Sequence, residues 1–165
     1  MHPNTTLLTK LFTALNRHDH DAMAACYCDD AHFRDIAFDL NGREGIHAMW
    51  RMICSGDIQA SFEVVEADDR IGRVKLVDKY TFRKGEGQDV EKRPVTNPID
   101  SRFVFRGGLI AEHIDDCDSR AWAEQAIGGA AGFLAGRLRF LRKWKAEQKL
   151  DAFTKQNKAR AAGAR

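Results

Sequence analysis

Cys28-Asp-Asp-Ala-His-Phe-Arg-Asp35 is the stretch that decides how this chain is read. It follows an apolar helical run and spells a turn, Asp29-Asp30, that launches a short strand from Ala31 to Asp35. Side chains alternate along a strand with period two, so Asp35 falls on the face that carries Phe33. That face normally turns inward, where a carboxylate is costly unless it is hydrogen-bonded or neutralised. The anomaly recurs far downstream, with His113, Asp115 and Cys117 on one face of another predicted strand. Titratable groups on inward faces of two distant strands point to a lined pocket rather than a plain apolar core.

Working outward toward the N-terminus, Leu7, Leu8, Leu11, Phe12 and Leu15 recur at helical spacing behind a cap at Thr5 or Thr6. Asn16-Arg-His-Asp-His20 is a polar break, and Asp21 caps a second helix from Ala22 to Cys28. Toward the C-terminus, Asn41-Gly42 is a turn, and Arg43 to Ser55 reads as a third helix carrying Ile46, Met49, Trp50 and Ile53. Period two then takes over in Ile58 to Ala67, Gly72 to Arg83, Arg93 to Arg106 and Leu109 to Asp118. Gly85 to Lys92 and Arg106-Gly107-Gly108 are the hairpin connections. Leu76, Asp78, Tyr80 and Phe82 share one face, as do Asn97, Ile99, Ser101, Phe103 and Phe105. Ala121 to Ile127 turns helical and stops at Gly128-Gly129, before a long amphipathic stretch from Ala130 to about Lys158. Helices, then an antiparallel meander, then helices is an α+β order.

At 165 residues the chain has the size of one domain able to bury roughly 70% of its unfolded surface. Its 44% hydrophobic and 30% charged residues are ordinary for a globular protein. No apolar run approaches the ~20 residues that cross a bilayer, and no signal-peptide core opens the chain, so a cytoplasmic protein without membrane contact is expected. Cys26, Cys28, Cys54 and Cys117 have no zinc or redox spacing and read as reduced thiols. The net charge of +2 conceals an asymmetry. From Arg137 onward ten Lys and Arg face two acids, which leaves sixteen basic and twenty-two acidic residues upstream, a body of charge −6. The basic tail reads as a solvated helix face that offsets an acidic body, and nucleic-acid binding is not expected.

Several segments together resemble a known superfamily. They are Asp19-His-Asp-Ala-Met-Ala-Ala-Cys-Tyr-Cys-Asp-Asp-Ala31, Phe33-Arg-Asp35, Arg43-Glu-Gly-Ile46, Phe103-Val-Phe-Arg-Gly-Gly-Leu-Ile110, His113-Ile-Asp-Asp-Cys-Asp118 and Trp122. Their order resembles the nuclear transport factor 2-like fold, shared by ketosteroid isomerase and polyketide cyclase, and is most similar to its SnoaL-like branch. The resemblance implies a cone-shaped curved antiparallel sheet wrapping N-terminal helices, over residues 1–127. Residues 128–165 would be an amphipathic, basic helical extension. It also implies an apolar pocket, a homodimer and no cofactor; no Gly-rich phosphate loop precedes a helix.

The same resemblance places Asp35 where ketosteroid isomerases carry their proton-shuttling aspartate. The oxyanion-hole positions fall at Leu11 and Ser101, which are not equivalent, so steroid isomerisation by that route is not expected. Asp35, His113 and Asp115 are the candidate catalytic residues. As a base, Asp35 would be made more basic by apolar surroundings; otherwise it is a strand-end carboxylate pairing with Arg34 or Arg51. His113 and Asp115 are two apart on a strand, close enough for a hydrogen bond that fixes the imidazole tautomer, or for a satisfied buried pair without chemistry. Tyr27, Phe33, Trp50, Tyr80 and Phe103 would shape an apolar small-molecule site or simply fill the core. Asn97 and Ser101 would hydrogen-bond a ligand oxygen, with Cys117 beside them, and Trp122 would pack the following helix on the sheet. Asp35, His113 and Asp115 could also form a metal set, but no ligand spacing supports one and no metal is expected. The expected function is proton transfer on an apolar, carbonyl-bearing small molecule, of isomerase, cyclase or lyase type. The alternative is a non-catalytic ligand-binding or dimerisation module of the same fold.

Overall fold

The computed structural model describes residues 1–84, 90–128, 150, 151 and 153–155. Over residues 1–128 the elements follow in the order α1 (Pro3–Asn16), α2 (His20–Ala24), β1 (Tyr27–Arg34), β2 (Asp39–Asn41), α3 (Arg43–Cys54), β3 (Gln59–Ala67), β4 (Ile71–Lys84), β5 (Glu91–Arg106), β6 (Leu109–Cys117) and α4 (Ser119–Ala126). The strands form one sheet in the order β2-β1-β6-β5-β4-β3. Neighbours pair antiparallel except β1 and β6, which run parallel, so the sheet is mixed and not the purely antiparallel one expected. The α+β class stands. β4 and β5 are register partners without a break from Ile71 opposite Val104 to Lys84 opposite Glu91.

The helices bury their apolar stripes on the inner face of the sheet. Leu8, Leu11, Phe12 and Leu15 of α1, with Ile46, Met49 and Trp50 of α3, join Phe33, Val74, Leu76, Phe103, Phe105 and Ile110 in one core. α1 begins earlier than a threonine cap would allow, because Pro3 takes the first turn and the His2 side chain accepts from the Asn4 N–H. In the polar break, the Asn16 carboxamide donates to the Ala60 carbonyl at 2.8 Å and accepts from its N–H at 2.7 Å. That side chain acts as a peptide group and ties the end of α1 to the edge strand β3. Asp19, and not Asp21, caps α2 by accepting from the Ala22 N–H at 2.9 Å.

The opening segment differs from its sequence reading in three ways. α2 ends at Ala24, so Tyr27 and Cys28 belong to β1 rather than to a helix. Asp29-Asp30 is no turn: Tyr27 and Cys28 are both buried, Asp29 and Asp30 both exposed, and the register with β6 shifts between Tyr27 and His32. Two successive residues on each side mark a bulge, which bends the strand and increases its twist. Asp29 and Asp30 then pair with Arg43 and Arg106 on the outer side. Finally, β1 stops at Arg34, and Asp35 opens the tight connection to β2, an unpredicted three-residue strand.

The hairpin tip 85–89 and most of the C-terminal extension lie outside the described residues, so the expected long basic helix is not assessed. Leu150, helical, is buried in the core. No helix among the described residues is long and apolar enough to cross a membrane.

Candidate active site

His113 stands at the centre of β6 with no exposed surface. Four aromatic side chains surround its ring. Phe103, its register partner on β5, lies 4.3 Å away between centroids, and Phe33, its partner on β1, meets it edge-on at 4.9 Å. Tyr27 and Trp50 stack at 6.1 and 6.4 Å. Such a box strips water from the imidazole, so both nitrogens need protein partners. They have them: the Tyr27 hydroxyl is 2.8 Å from Nδ1, and Asp115 Oδ1 is 2.8 Å from Nε2. A neutral ring satisfies both contacts with one polarity, the phenol donating to Nδ1 and Nε2–H donating to the carboxylate. Ser101, across from Asp115 on β5, donates its hydroxyl to the same Oδ1. Period-two alternation on β6 and pairing with β5 therefore assemble a chain running Tyr27, His113, Asp115, Ser101.

Two further carboxyl groups border this chain. Asp35 keeps some exposure as a residue, but its carboxyl is enclosed, with Oδ1 accepting from the N–H groups of Ala37 and Phe38 at 2.6 and 2.5 Å. These bonds hold the turn together in place of a pairing with Arg34 or Arg51. Burial pushes Asp35 up to about 6, against the two backbone donors; the Asp115 charge adds to the rise and His113 opposes it. Asp78 on β4 is pushed up to about 7, first by burial and then by Asp115, and its Oδ1 is buried without a hydrogen-bond partner among the described residues. Asp115 thus adds to the rise of both carboxyl groups through its charge. The Trp50 indole nitrogen is likewise buried without a hydrogen-bond partner among the described residues, and burial holds the Tyr27 phenol well above its usual range.

The remaining expected residues divide. Asn97 is buried and stands opposite Asp78 in the β4–β5 register. The Ser101 hydroxyl is engaged by Asp115 rather than left for a ligand. The Tyr80 hydroxyl accepts from the Trp122 indole at 2.6 Å, and burial, aided by Asp78, Cys117 and Asp35, raises it to about 12. Trp122 thus fixes α4 to the sheet through Tyr80 and an edge contact with Phe82 at 5.7 Å. Cys117 lines a groove of about 780 Å³ with Leu76 and Ile99, and His113 is not among its lining residues. Another concavity, of about 650 Å³, lies between β5 and α4 near Arg93 and Gln125. Neither is lined by Asp35, Asp78 or Asp115. Asp35, His113 and Asp115 do not bring ligand atoms together as a metal set among the described residues. The four cysteines form no disulfide among the described residues, and burial raises Cys26 and Cys54.

A family model of the SnoaL-like domain matches residues 8–113, nearly two thirds of the chain. The chain belongs to the SnoaL-like family. The matched span runs from α1 to His113 and so takes in Tyr27, Phe33, Asp35, Asp78 and Ser101. Among solved structures, a protein from Xanthomonas campestris pv. campestris proposed to be a polyketide cyclase is 21% identical, with a TM-score of 0.64 over 75% of this chain and 96% of that one. IdmH of Streptomyces antibioticus, also proposed to be a polyketide cyclase, is 21% identical with a TM-score of 0.62, covering 75% of this chain and 98% of its own. An epoxide hydrolase of Mycobacterium tuberculosis similar to limonene epoxide hydrolase is 15% identical, with a TM-score of 0.59 over 81% and 96%. At these identities the likeness shows the fold. No curated protein matches the sequence. Asp78, whose shared face with Leu76, Tyr80 and Phe82 reads in the sequence as either a second pocket acid or an interface partner, is buried in the SnoaL-like fold of this chain. Its neighbours Leu76 and Tyr80 were the available signal.

Proposed function

We propose that this SnoaL-like protein catalyses proton transfer at a carbon next to a carbonyl group of an apolar small molecule. The observation carrying this reading is a pair of buried carboxyl groups, Asp35 and Asp78, raised toward neutrality, beside an Asp115 carboxyl held by His113 and Ser101. A base works best when its pKa lies near the working pH, and so does its acid partner. Asp35, at about 6, is mostly ionised at neutrality and takes the proton. Asp78, at about 7, remains largely protonated just below neutrality and donates to the carbonyl oxygen as the C–H bond breaks. The product of that step is an enol, and ring closure, bond migration or elimination can follow from it. Burial keeps both pKa values high and the neighbouring Asp115 adds to the rise, while His113 is a positioning residue because both its nitrogens are engaged. Asn97 orients the substrate oxygen beside Asp78, and the apolar walls are Phe33, Trp50 and Phe103. The relatives proposed to be polyketide cyclases support this choice of chemistry.

The test is exchange of α-protons of a panel of apolar cyclic ketones in D2O, followed by NMR between pH 5 and 8. The expected profile is bell-shaped with its maximum between the two acid pKa values. Asp35→Asn abolishes exchange, with a loss of about 100-fold or more. Asp115→Asn retains exchange but moves the profile to lower pH, which a merely structural residue would not do. Ketones that bind without exchanging in the wild type would establish the ligand-binding module instead. A homodimer is part of the same proposal, supported by the exposed register partners Ile71 and Val104 on the outer sheet face. Light scattering of the wild type and Val104→Glu tests it.

A further inference from the structure

On the far side of the helical layer, α2 and α3 bring His20, Asp21 and His47 together. His20 Nδ1 and His47 Nε2 are 3.0 Å apart. Asp21 Oδ1 lies 3.3 Å from the first and 2.8 Å from the second. Asp21 is available because Asp19, one residue before α2, serves as the cap.

Protons alone cannot satisfy this triangle. If both ring nitrogens carry hydrogen, each can donate to the carboxylate, but the two N–H groups then oppose one another across 3.0 Å. If only one carries hydrogen, that N–H faces a lone pair on both of its edges, but the third edge, between the bare nitrogen and the carboxylate, sets lone pair against lone pair. A cation over the triangle turns all three lone pairs inward and satisfies every edge at once. The dimensions suit one. Donor atoms at about 2.0–2.1 Å from a transition metal stand about 2.9–3.4 Å from one another in octahedral or tetrahedral geometry. With the observed edges the ion sits about 1 Å above the donor plane.

We propose that His20, Asp21 and His47 bind a divalent transition-metal ion of the Zn(II) or Co(II) type. Two imidazoles and one carboxylate select such ions over Ca(II) and Mg(II), which favour all-oxygen sites. The Asp21 side chain is 76% exposed and the two histidines 29% and 26%, so water completes the coordination from the solvent side. The ion clamps the five-residue α2 to α3, immediately before the bulged strand that carries Tyr27.

The test uses the full chain without an affinity tag, titrated with ZnCl2 by calorimetry. Long-range imidazole NMR reports which of the six histidines respond. The expected result is one Zn(II) per chain, with the resonances of His20 and His47 shifted. His20→Ala and His47→Ala each weaken binding at least tenfold, and His32→Ala, whose ring pairs with Asp39, leaves it unchanged. Should an alanine variant fail to fold, Asp21→Asn keeps both rings and carries the same expectation. Wild type that binds no Zn(II) below 100 µM would overturn the proposal, as would His20, His47 and Asp21 variants that bind like wild type. Binding that follows the cysteines instead would overturn it too.

Discussion

Two histidine clusters in this protein solve the same problem differently. Inside the sheet, His113 has one donor, one acceptor and a matching partner for each, so a neutral ring satisfies the Tyr27–His113–Asp115 chain. At the α2–α3 contact, three lone-pair atoms meet with no arrangement of protons that suits them all. The first cluster is complete without a ligand and contributes to folding. The second is incomplete and asks for a cation. A contact between polar atoms is therefore not stabilising by distance alone; the direction of each proton decides whether it holds the fold or awaits a partner.

The contrast can be broken most sharply at His113. Replacing it with alanine leaves a cavity and strips partners from two buried polar groups, at a cost of about 3–5 kcal/mol in denaturant unfolding. A loss under ~1 kcal/mol would mean that the interior chain contributes little. Next comes Asp78. Its folded pKa of about 7 lies above the usual carboxylate value, so the folded state binds the extra proton between about pH 4 and 7. The stability it contributes is therefore greatest at acid pH and is lost as pH rises through 7. Asp78→Asn should flatten that slope and stabilise the protein at pH 8 by on the order of 1–3 kcal/mol; an unchanged slope would refute the assignment. Ser101→Ala removes one donor from Asp115 and should cost about 1 kcal/mol, since Asp115 keeps His113. The smallest effect belongs to the surface triangle: in metal-free protein, His20→Ala should change stability by less than about 0.5 kcal/mol. A larger loss would show that protons alone already satisfy that cluster.

Much of this architecture was legible in the residues. Apolar spacing placed α1 and α3, and alternation placed β3 to β6, because each element buries one face against the core. The inward acids were legible too, since an acid sharing a strand face with an aromatic breaks the pattern in plain view. What escaped was set by tertiary context. β2 is three residues long and has no periodicity to read, and the parallel pairing of β1 with β6 leaves no local trace. The bulge at Asp29-Asp30 imitates a turn because both place two polar residues side by side. The His113–Asp115 pair was visible from its spacing, but its second partner was not, because Tyr27 was assigned to a helix. The His20–Asp21–His47 triangle joins residues 27 apart, and the assumption that Asp21 was a cap concealed its carboxylate.

The Tyr27–His113 contact spans 86 positions of the chain and sits where β1 meets β6 in parallel. Hairpins β3–β4, β4–β5 and β5–β6 can zip from their turns, but β1 must find β6 across a loop containing nearly everything else. Closing so long a loop is entropically slow, and parallel pairing offers no turn to begin from. The histidine box should accordingly be among the last parts to form during folding and the first to open. Mutations at Tyr27 or His113 would then speed unfolding while leaving the folding rate nearly unchanged.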